Sequence, residues 1–464
     1  MGEAEIPLML DRDSPSPLAA QLAGQLRSAI LNGVLRPDHT LPATRRLASE
    51  LGISRGVVVR AFEQLAGEGF LESQGAGGTR VVIRPDVQSA APKERPASGG
   101  HDARPVIDLT PGRPSGTPFK DREWRHAWRR AVSEPGTTHL PPPLGTAALR
   151  EAVAGHLAVS RGLAVDAENV IITAGTSDAL QLAVATLRGG GDRPRILVED
   201  PGYPTARRVM SAAGAAVETV PVDGDGLRAA QLASLSRLPD AVLITPSHQY
   251  PLGGRMPVQE RLGLLKWAAD HNVLVLEDDY DSEFRHRRMP LPAVASLPSR
   301  ADVALLGSFS KTLSPWLRCG YLVVRGESGR RLKAMREDLG TPVPGILQSA
   351  LAHYIRGGGL SRHITRARRE YAHRRALLIE RLGSRADLEL GALDGGLHAV
   401  IRFQGKDAAT LSAEALQRGV RVVPLADYYA DRPPVNGLVI GYGAPTDLQL
   451  TKALDVITGL LDEA

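Results

Sequence analysis

A lysine set among hydroxyls is the densest patch of chemistry in this sequence. Lys311 is flanked by Ser308, Ser310, Thr312 and Ser314, and Arg318 follows seven residues on. An apolar run, Val303 to Leu306, leads in and Tyr321-Leu322-Val323-Val324 leads out, which places the lysine on a loop between two buried strands; Pro315 stops any long helix. A lysine held this way suits a Schiff base to an aldehyde cofactor that also carries a phosphate. The amine attacks only when neutral, so burial or a nearby positive charge must lower its pKa. Ser308, Ser310 and Arg318 are phosphate donors, the arginine through paired N–H groups. The competing reading is a surface lysine on a serine-rich loop.

Three further phrases could surround such a cofactor. Gly175-Thr176-Ser177 follows an apolar strand and opens a helix; free N–H groups and two hydroxyls at a helix N-terminus make a phosphate cradle, or simply a cap. Tyr203, between Gly202 and Pro204, is placed to stack on a flat ring, or to pack on a turn. Glu277-Asp278-Asp279-Tyr280-Asp281 ends an apolar strand, where carboxylates are costly unless partnered. Asp278 and Tyr280 share one strand face, so the carboxylate suits a pyridinium nitrogen and the phenol suits the oxygen of the same ring. A metal site is the alternative, but no second acidic cluster or histidine pair accompanies the phrase, and no metal is expected.

The elements that must carry these residues read as an α/β domain from Val106 onward. Strands Val170–Thr173, Arg195–Val198, Ala241–Ile244 and Val273–Leu276 alternate with helical patterns, as in a mostly parallel sheet with helices on both faces. Ligands of such sheets bind at the carboxyl ends of strands, where every candidate falls. Trp124, Trp128 and Val132 line one helix, and Leu149, Val153 and Leu157 another, Thr146 to Ala158. Near the C-terminus, an arginine-dense helix from Arg362 to Arg385 reads as a solvated helix, or as a secondary contact to DNA phosphates.

The first 84 residues form a different module. Leu18, Leu22, Leu26, Ile30 and Leu31 recur at helical spacing; a second helix opens after Leu41-Pro42, and Ser54 caps a third. Two helices across the turn Leu51-Gly52-Ile53-Ser54 are a helix-turn-helix pattern, and two short strands around Gly75 to Gly78 add a wing. Arg45, Ser54, Arg55, Gly56 and Arg60 stand where a recognition helix and its neighbour meet DNA, and Gly77 in the wing lets backbone approach the duplex. The bland alternative is a helical interaction domain with a basic face. Residues 85–105, rich in Pro, Ala, Ser and Gly, read as a flexible linker, leaving 106–464 as the second domain.

The bulk numbers bound the class. The chain has 464 residues, 43% hydrophobic and 23% charged, with net charge +5 and one cysteine, Cys319. That composition suits a globular protein and excludes an intramolecular disulfide or a cysteine zinc cluster. The absence of a membrane-length apolar run, with one cysteine, leads us to expect a cytoplasmic protein.

Two resemblances sharpen this reading. LPATRRLASELGISRGVVVRAFEQLAGEGFLESQGAGGTRV resembles the winged helix-turn-helix of GntR-type bacterial regulators, with DNA-contacting positions matched at Arg45, Ser54, Arg55 and Gly77. Gly56-Val57 departs from the family's usual polar pair. VIITAGTSDALQLA, VEDPGYP, ITPSHQYPLGGRM, LEDDYDSEFR and GSFSKTLSPWLRCGYLV, in that order, resemble a fold-type I aminotransferase domain of the aspartate aminotransferase superfamily. Together they resemble the MocR-type regulators. The resemblance implies pyridoxal phosphate on Lys311, Asp278 at the ring nitrogen, Tyr280 at the ring oxygen and Tyr203 stacked. It implies Thr176, Ser177, Ser308, Ser310 and Arg318 at the phosphate, His248 or Gln249 near the ring, and a homodimer bound to operator DNA.

Two positions depart from the pattern. Val439, in Leu438-Val439-Ile440-Gly441-Tyr442, stands where an arginine binds a substrate α-carboxylate, and Leu140 stands where a tyrosine reaches the neighbouring subunit's phosphate. The expectation is therefore a regulator whose aminotransferase-like domain senses an amine, an amino acid or pyridoxal phosphate itself. The alternatives are a working aminotransferase with a fused DNA-binding module and a cofactor-free scaffold.

Overall fold

The computed structural model describes residues 8–37, 39–73, 78–82, 106–116, 121–135, 139–188, 193–285, 292–431 and 435–463. The chain forms two compact units, Met1–Asp102 and Ala103–Ala464. The expected linker, 85–105, lies outside the described residues, as does Gly77.

In the first unit, helix Leu18–Leu31 packs on Arg55–Gly67 through Leu22, Leu26, Ile30, Val58, Ala61 and Leu65. The middle helix, Thr44–Glu50, adds Leu47 and Ala48 to the same core. Strands Leu71–Ser73 and Thr79–Val81 pair antiparallel, and Thr40–Leu41 joins beyond the second, so the wing is a three-stranded sheet rather than the two-stranded hairpin expected. Thr40–Leu41 is too short to carry a period-2 signal.

The second unit is built on a seven-stranded sheet. Its order is Val170–Thr173, Gly320–Val324, Val303–Ser308, Leu274–Asp279, Ala241–Ile244, Arg195–Asp200 and Ala216–Pro221. All pairs are parallel except those made by Gly320–Val324, which runs antiparallel to both neighbours. That strand reverses because the segment after Lys311 is too short for a helical crossover. Alternate residues feed opposite faces. Ile171, Leu243, Leu276 and Leu306 pack under Leu180, Ala183 and Met210; Val242 and Val275 meet Leu264, Leu265 and Ala268 on the other side.

Helix Arg122–Ser133 buries Trp124, Ala127 and Ala131, while Val132, expected on the buried face, is exposed. The two buried alanines let the helix sit close to Gly345–Arg356, with Trp124 edge-on to Tyr354 at 5.1 Å. The C-terminal part carries a four-stranded antiparallel sheet, Leu388–Gly391, His398–Phe403, Gly437–Gly441 and Val423–Pro424. Ile107–Asp108 pairs with Val420–Arg421, tying the start of this unit to that sheet's neighbourhood. The arginine-dense helix runs Gly359–Leu382 with Tyr371, Leu378 and Leu382 fully buried. Its arginines reach within the chain: Arg362 to Glu123, Arg366 to Asp121, Arg374 to Glu370 and Asp447, Arg381 to Asp455. These pairs favour the structural reading of the helix over a phosphate contact. Among the described residues no helix is long and apolar enough to cross a membrane.

Candidate functional site

Lys311 sits in a single helical turn, Phe309–Thr312, between strands Val303–Ser308 and Gly320–Val324. Ser308 caps that turn, its hydroxyl accepting from Ser310 N at 3.1 Å. Thr312 and Ser314 are spent on backbone, Thr312 donating to Ser308 O and Ser314 accepting from Trp316 N. Three of the four hydroxyls around the lysine thus help to hold the turn, and Ser308, with Ser310, also faces the site. His363 closes the other end, its Nε2 lying 2.9 Å from Thr312 O.

The amine lies among tyrosines. Lys311 Nζ is 4.3 Å from the ring centre of Tyr280, 5.2 Å from Tyr250 and 5.6 Å from Tyr203. Burial pushes its pKa below that of an ordinary lysine, against the opposing pull of Asp278 and Asp281. A Cβ added to Gly112 would lie 3.1 Å from Lys311 Cε, so only glycine lets that turn close over the side chain.

Gly175 precedes helix Thr176–Leu187 with φ 88°, and an added Cβ would sit 3.9 Å from Ser310 Oγ and 4.0 Å from Ser308 Oγ. One point therefore collects a helix N-terminus and two serine hydroxyls. Asp178 secures the turn, accepting from Ala174 N at 3.0 Å and Arg336 at 2.8 Å. Arg318 is exposed, in the left-handed region at φ 44°; burial raises the Tyr203 pKa, and Arg318 is near enough to oppose that rise.

Asp278 is buried and, among the described residues, has no hydrogen-bond partner. Burial drives its pKa to about 7; Lys311 opposes this while Asp279 and Asp281 add to it. Its neighbours in the phrase are engaged. Glu277 accepts from Val294 N and Ala295 N, both at 2.9 Å, and Asp279 pairs with Arg161 at 2.8 Å. Asp281 pairs with His248 Nδ1 at 2.8 Å.

Of the two residues left open in the HQYP phrase, His248 lies by the site: the Tyr280 hydroxyl is 3.0 Å from its Nδ1 and donates to its backbone oxygen at 2.9 Å. Gln249 is spent on backbone, donating to Pro201 O and Tyr250 O and accepting from Leu252 N. Tyr250, which the sequence reading passed over, is the residue of that phrase over the lysine. The fold also brings His398 beside His248 and Asp281, the histidine pair the sequence did not reveal. Asp281 is already committed to His248, and Lys311 and Arg285 both lie within electrostatic reach of it, so this group is a poor cation site.

The opposite wall is apolar. Val439 is fully buried and pairs with Val400 and Val423 across the C-terminal sheet. It clusters with Tyr250, Tyr280, Leu425 and Tyr428, so the position expected of an arginine is filled with packed side chains. Leu140, at the other departure, is 91% exposed.

In the first unit, Arg45, Ser54, Arg55, Gly56 and Arg60 are all exposed, at the start of two neighbouring helices. The Ser54 side chain makes no cap bond, so its hydroxyl stays available. Arg55 reaches back to Thr44 Oγ1 at 3.4 Å, and Arg60 curls over Gly56. Arg46, by contrast, is paired with Glu50.

Residues 18–81 match the bacterial regulatory proteins of the gntR family, and residues 104–457 match aminotransferase class I and II. The HTH-type pyridoxine biosynthesis transcriptional regulator PdxR of Corynebacterium glutamicum is 39% identical over 444 residues, covering 95% of each chain. The chain belongs to the MocR-type regulators of the GntR family. The probable rhizopine catabolism regulatory protein MocR of Rhizobium meliloti is 34% identical, over 94% of this chain and 92% of that one. Among solved structures, LysN, an α-aminoadipate aminotransferase from Thermus thermophilus complexed with N-(5'-phosphopyridoxyl)-L-leucine, aligns with TM-score 0.66 and 26% identity. It covers 77% of this chain and 94% of that one.

This MocR-type regulator is a DNA-binding transcription factor whose second domain has the fold-type I aminotransferase fold and takes pyridoxal phosphate. Sequence reasoning missed Gly112, Tyr250, His398 and Tyr428. The dipeptide Pro111-Gly112 is a turn signal that could have flagged the first. Tyr250 sat inside a phrase already singled out. His398 comes from a strand of the distant C-terminal sheet and Tyr428 from the single 3-10 turn Leu425–Tyr428 after that sheet's edge strand, and no local pattern marks them.

Proposed function

We propose that this regulator senses pyridoxal phosphate itself, held reversibly at Lys311, and changes its grip on operator DNA when the cofactor binds. The observation that carries the reading is Val439. A pocket for an amino acid needs a cation for the α-carboxylate, and the wall that would supply it is a sealed apolar cluster. The 39% identity to a regulator named for pyridoxine biosynthesis points the same way.

The residues present fit the cofactor. Gly175, Ser308 and Ser310 converge on one point, and the N–H groups of Thr176 and Ser177 open the helix beside it, a cradle for a phosphate with Arg318 at its rim. Asp278 is a buried carboxyl that makes no hydrogen bond among the described residues and feels the charge of Lys311, which suits a place opposite a ring nitrogen. Tyr203 offers its ring face and Tyr280 its hydroxyl. Bound there, pyridoxal phosphate supplies an aldehyde carbon and an electron-withdrawing ring. Burial shifts the Lys311 amine toward the neutral form that attacks a carbonyl, against the pull of Asp278 and Asp281, and the three tyrosines pack around it.

Binding of cofactor favours one arrangement of the protein over another only through such differential contacts. Operator affinity measured by fluorescence anisotropy, with cofactor-free and cofactor-loaded protein at one salt concentration, tests the reading; equal affinities would overturn it. A second reading has its own support. Three tyrosine faces around Nζ suit a small amine without a carboxylate, which needs no arginine. A change in the bound cofactor's absorption on adding amines, but not amino acids, would favour it. We place the regulator in the cytoplasm as a homodimer, which light scattering on the purified chain checks.

A further inference from the structure

Tyr280, His248 and Asp281 form a chain of polar groups beside the lysine. The Tyr280 ring lies 4.3 Å from Lys311 Nζ, and its hydroxyl lies 3.0 Å from His248 Nδ1. Asp281 Oδ2 lies 2.8 Å from the same nitrogen. His248 and Asp281 are both at least nine-tenths buried, and His248 Nε2 has no hydrogen-bond partner among the described residues. The arrangement places the imidazole proton on Nδ1, between carboxylate and phenol, and leaves Nε2 bare. Gly396 seals this edge: an added Cβ would come 2.2 Å from Asp281 Oδ2 and 2.8 Å from His248 Cε1. A single heavy atom there would break the chain apart.

We propose that His248, oriented by Asp281, is a positioning residue that strengthens the Tyr280 hydroxyl as a donor toward the ligand held at Lys311. The Nδ1 proton is shared between Asp281 and the phenol oxygen. A phenol that accepts a hydrogen bond becomes a stronger donor of its own. Its hydrogen has two destinations, the His248 backbone oxygen at 2.9 Å or an oxygen presented from the lysine side. The groups facing Tyr280 are Asp278 and Asp281 from its own segment, and Glu199 and Tyr250 from neighbouring ones, with Lys311 across the ring. His398 lies next to His248, and burial holds it neutral with a pKa of about 3. Burial works to raise the Asp281 pKa, but the contact with His248, together with His398 and Lys311, brings it below the ordinary carboxylate value.

This inference rests on the reading of Lys311 as the cofactor lysine. Its test follows the pH midpoint of the visible absorption of the cofactor-loaded protein. A hydrogen bond donated to the cofactor's ring oxygen weakens that oxygen's hold on the proton at the lysine nitrogen, so it lowers the midpoint. Tyr280→Phe should raise the midpoint by about one unit. His248→Ala should raise it less, and His248→Asn, whose amide nitrogen stands near the Nδ1 position, should restore it. In a Tyr280→Phe background, His248→Ala should add nothing. An equal shift from His248→Ala in both backgrounds would mean that it acts without Tyr280, and overturns the proposal. So does no shift in either His248 variant while both still bind cofactor. A wild-type protein without visible absorption would remove the Lys311 reading, and this inference with it.

Discussion

The two walls of the Lys311 pocket are made on different terms. The wall from the seven-stranded sheet is polar and open: Asp278 makes no hydrogen bond among the described residues, and Gly175, Ser308 and Ser310 gather around one point. The wall from the C-terminal sheet is apolar and complete, with Val439 packed among Val400, Leu425 and Tyr428. A transaminase must hold cofactor and substrate alike. Here the polar groups gather on the half that meets the cofactor and the packed apolar groups on the other, so selection for cofactor binding and for substrate binding can be separated within one pocket.

Four experiments press on that contrast. Lys311→Ala should abolish borohydride-stable attachment of pyridoxal phosphate, seen as lost added mass, and with it any cofactor effect on operator affinity. A surviving effect would mean that the polar wall acts without the lysine. Val439→Arg puts an unpaired charge into the complete wall and should cost about 3 kcal/mol or more in urea unfolding. Adding an amino acid should recover part of that loss in the variant and none in the wild type. The winged unit supplies a control away from both walls. Arg55→Ala should weaken operator binding by about 1–3 kcal/mol and reduce the salt slope by about one, while leaving cofactor absorption unchanged.

The smallest effect concerns Asp278 before cofactor arrives. Its folded pKa, about 7, lies above the unfolded value near 3.8. The folded chain then keeps a proton that the unfolded chain has released, so stability falls as pH rises between about 4 and 7. Glu199, raised to about 7 by burial, behaves alike. Asp278→Asn should remove its share of that slope, a difference on the order of 1–3 kcal/mol at pH 8 in the cofactor-free protein. An unchanged slope would place Asp278 in solvent rather than in the wall.

What the sequence disclosed follows the same division. The polar wall comes from strand ends of the central sheet, where apolar runs stop abruptly at Gly175, Tyr203, Asp278 and Ser308. Each carries its own local signature, and the fold brings them together as expected. The first unit was legible for a like reason, its core repeating at helical spacing from Leu22 to Leu65, with Leu18 half-buried and Leu31 exposed at the ends of the first helix. The complete wall was not legible from pattern. Val439 stands out only as a departure from a resemblance, and His398, on an ordinary strand, and Tyr428, in a short turn, lie far along the chain from the phrases around Lys311. The antiparallel strand Gly320–Val324 was likewise hidden, since its apolar run reads the same in either direction.

The backbone oxygen of Tyr428 accepts from both Gly202 N, at 3.1 Å, and Arg207, at 3.0 Å, while its ring lies against Tyr250 at 5.4 Å. Ala430 N adds a bond to Asp200 at 2.9 Å. One short segment of the C-terminal part is thereby fastened to the turn that carries Tyr203 and leans on a ring over Lys311. Anything that wedges Tyr250 aside must either unfasten three bonds or drag the attached sheet along. The pocket behaves less like a container than like the jaw of a pair of pliers, with its handles in another layer of the fold.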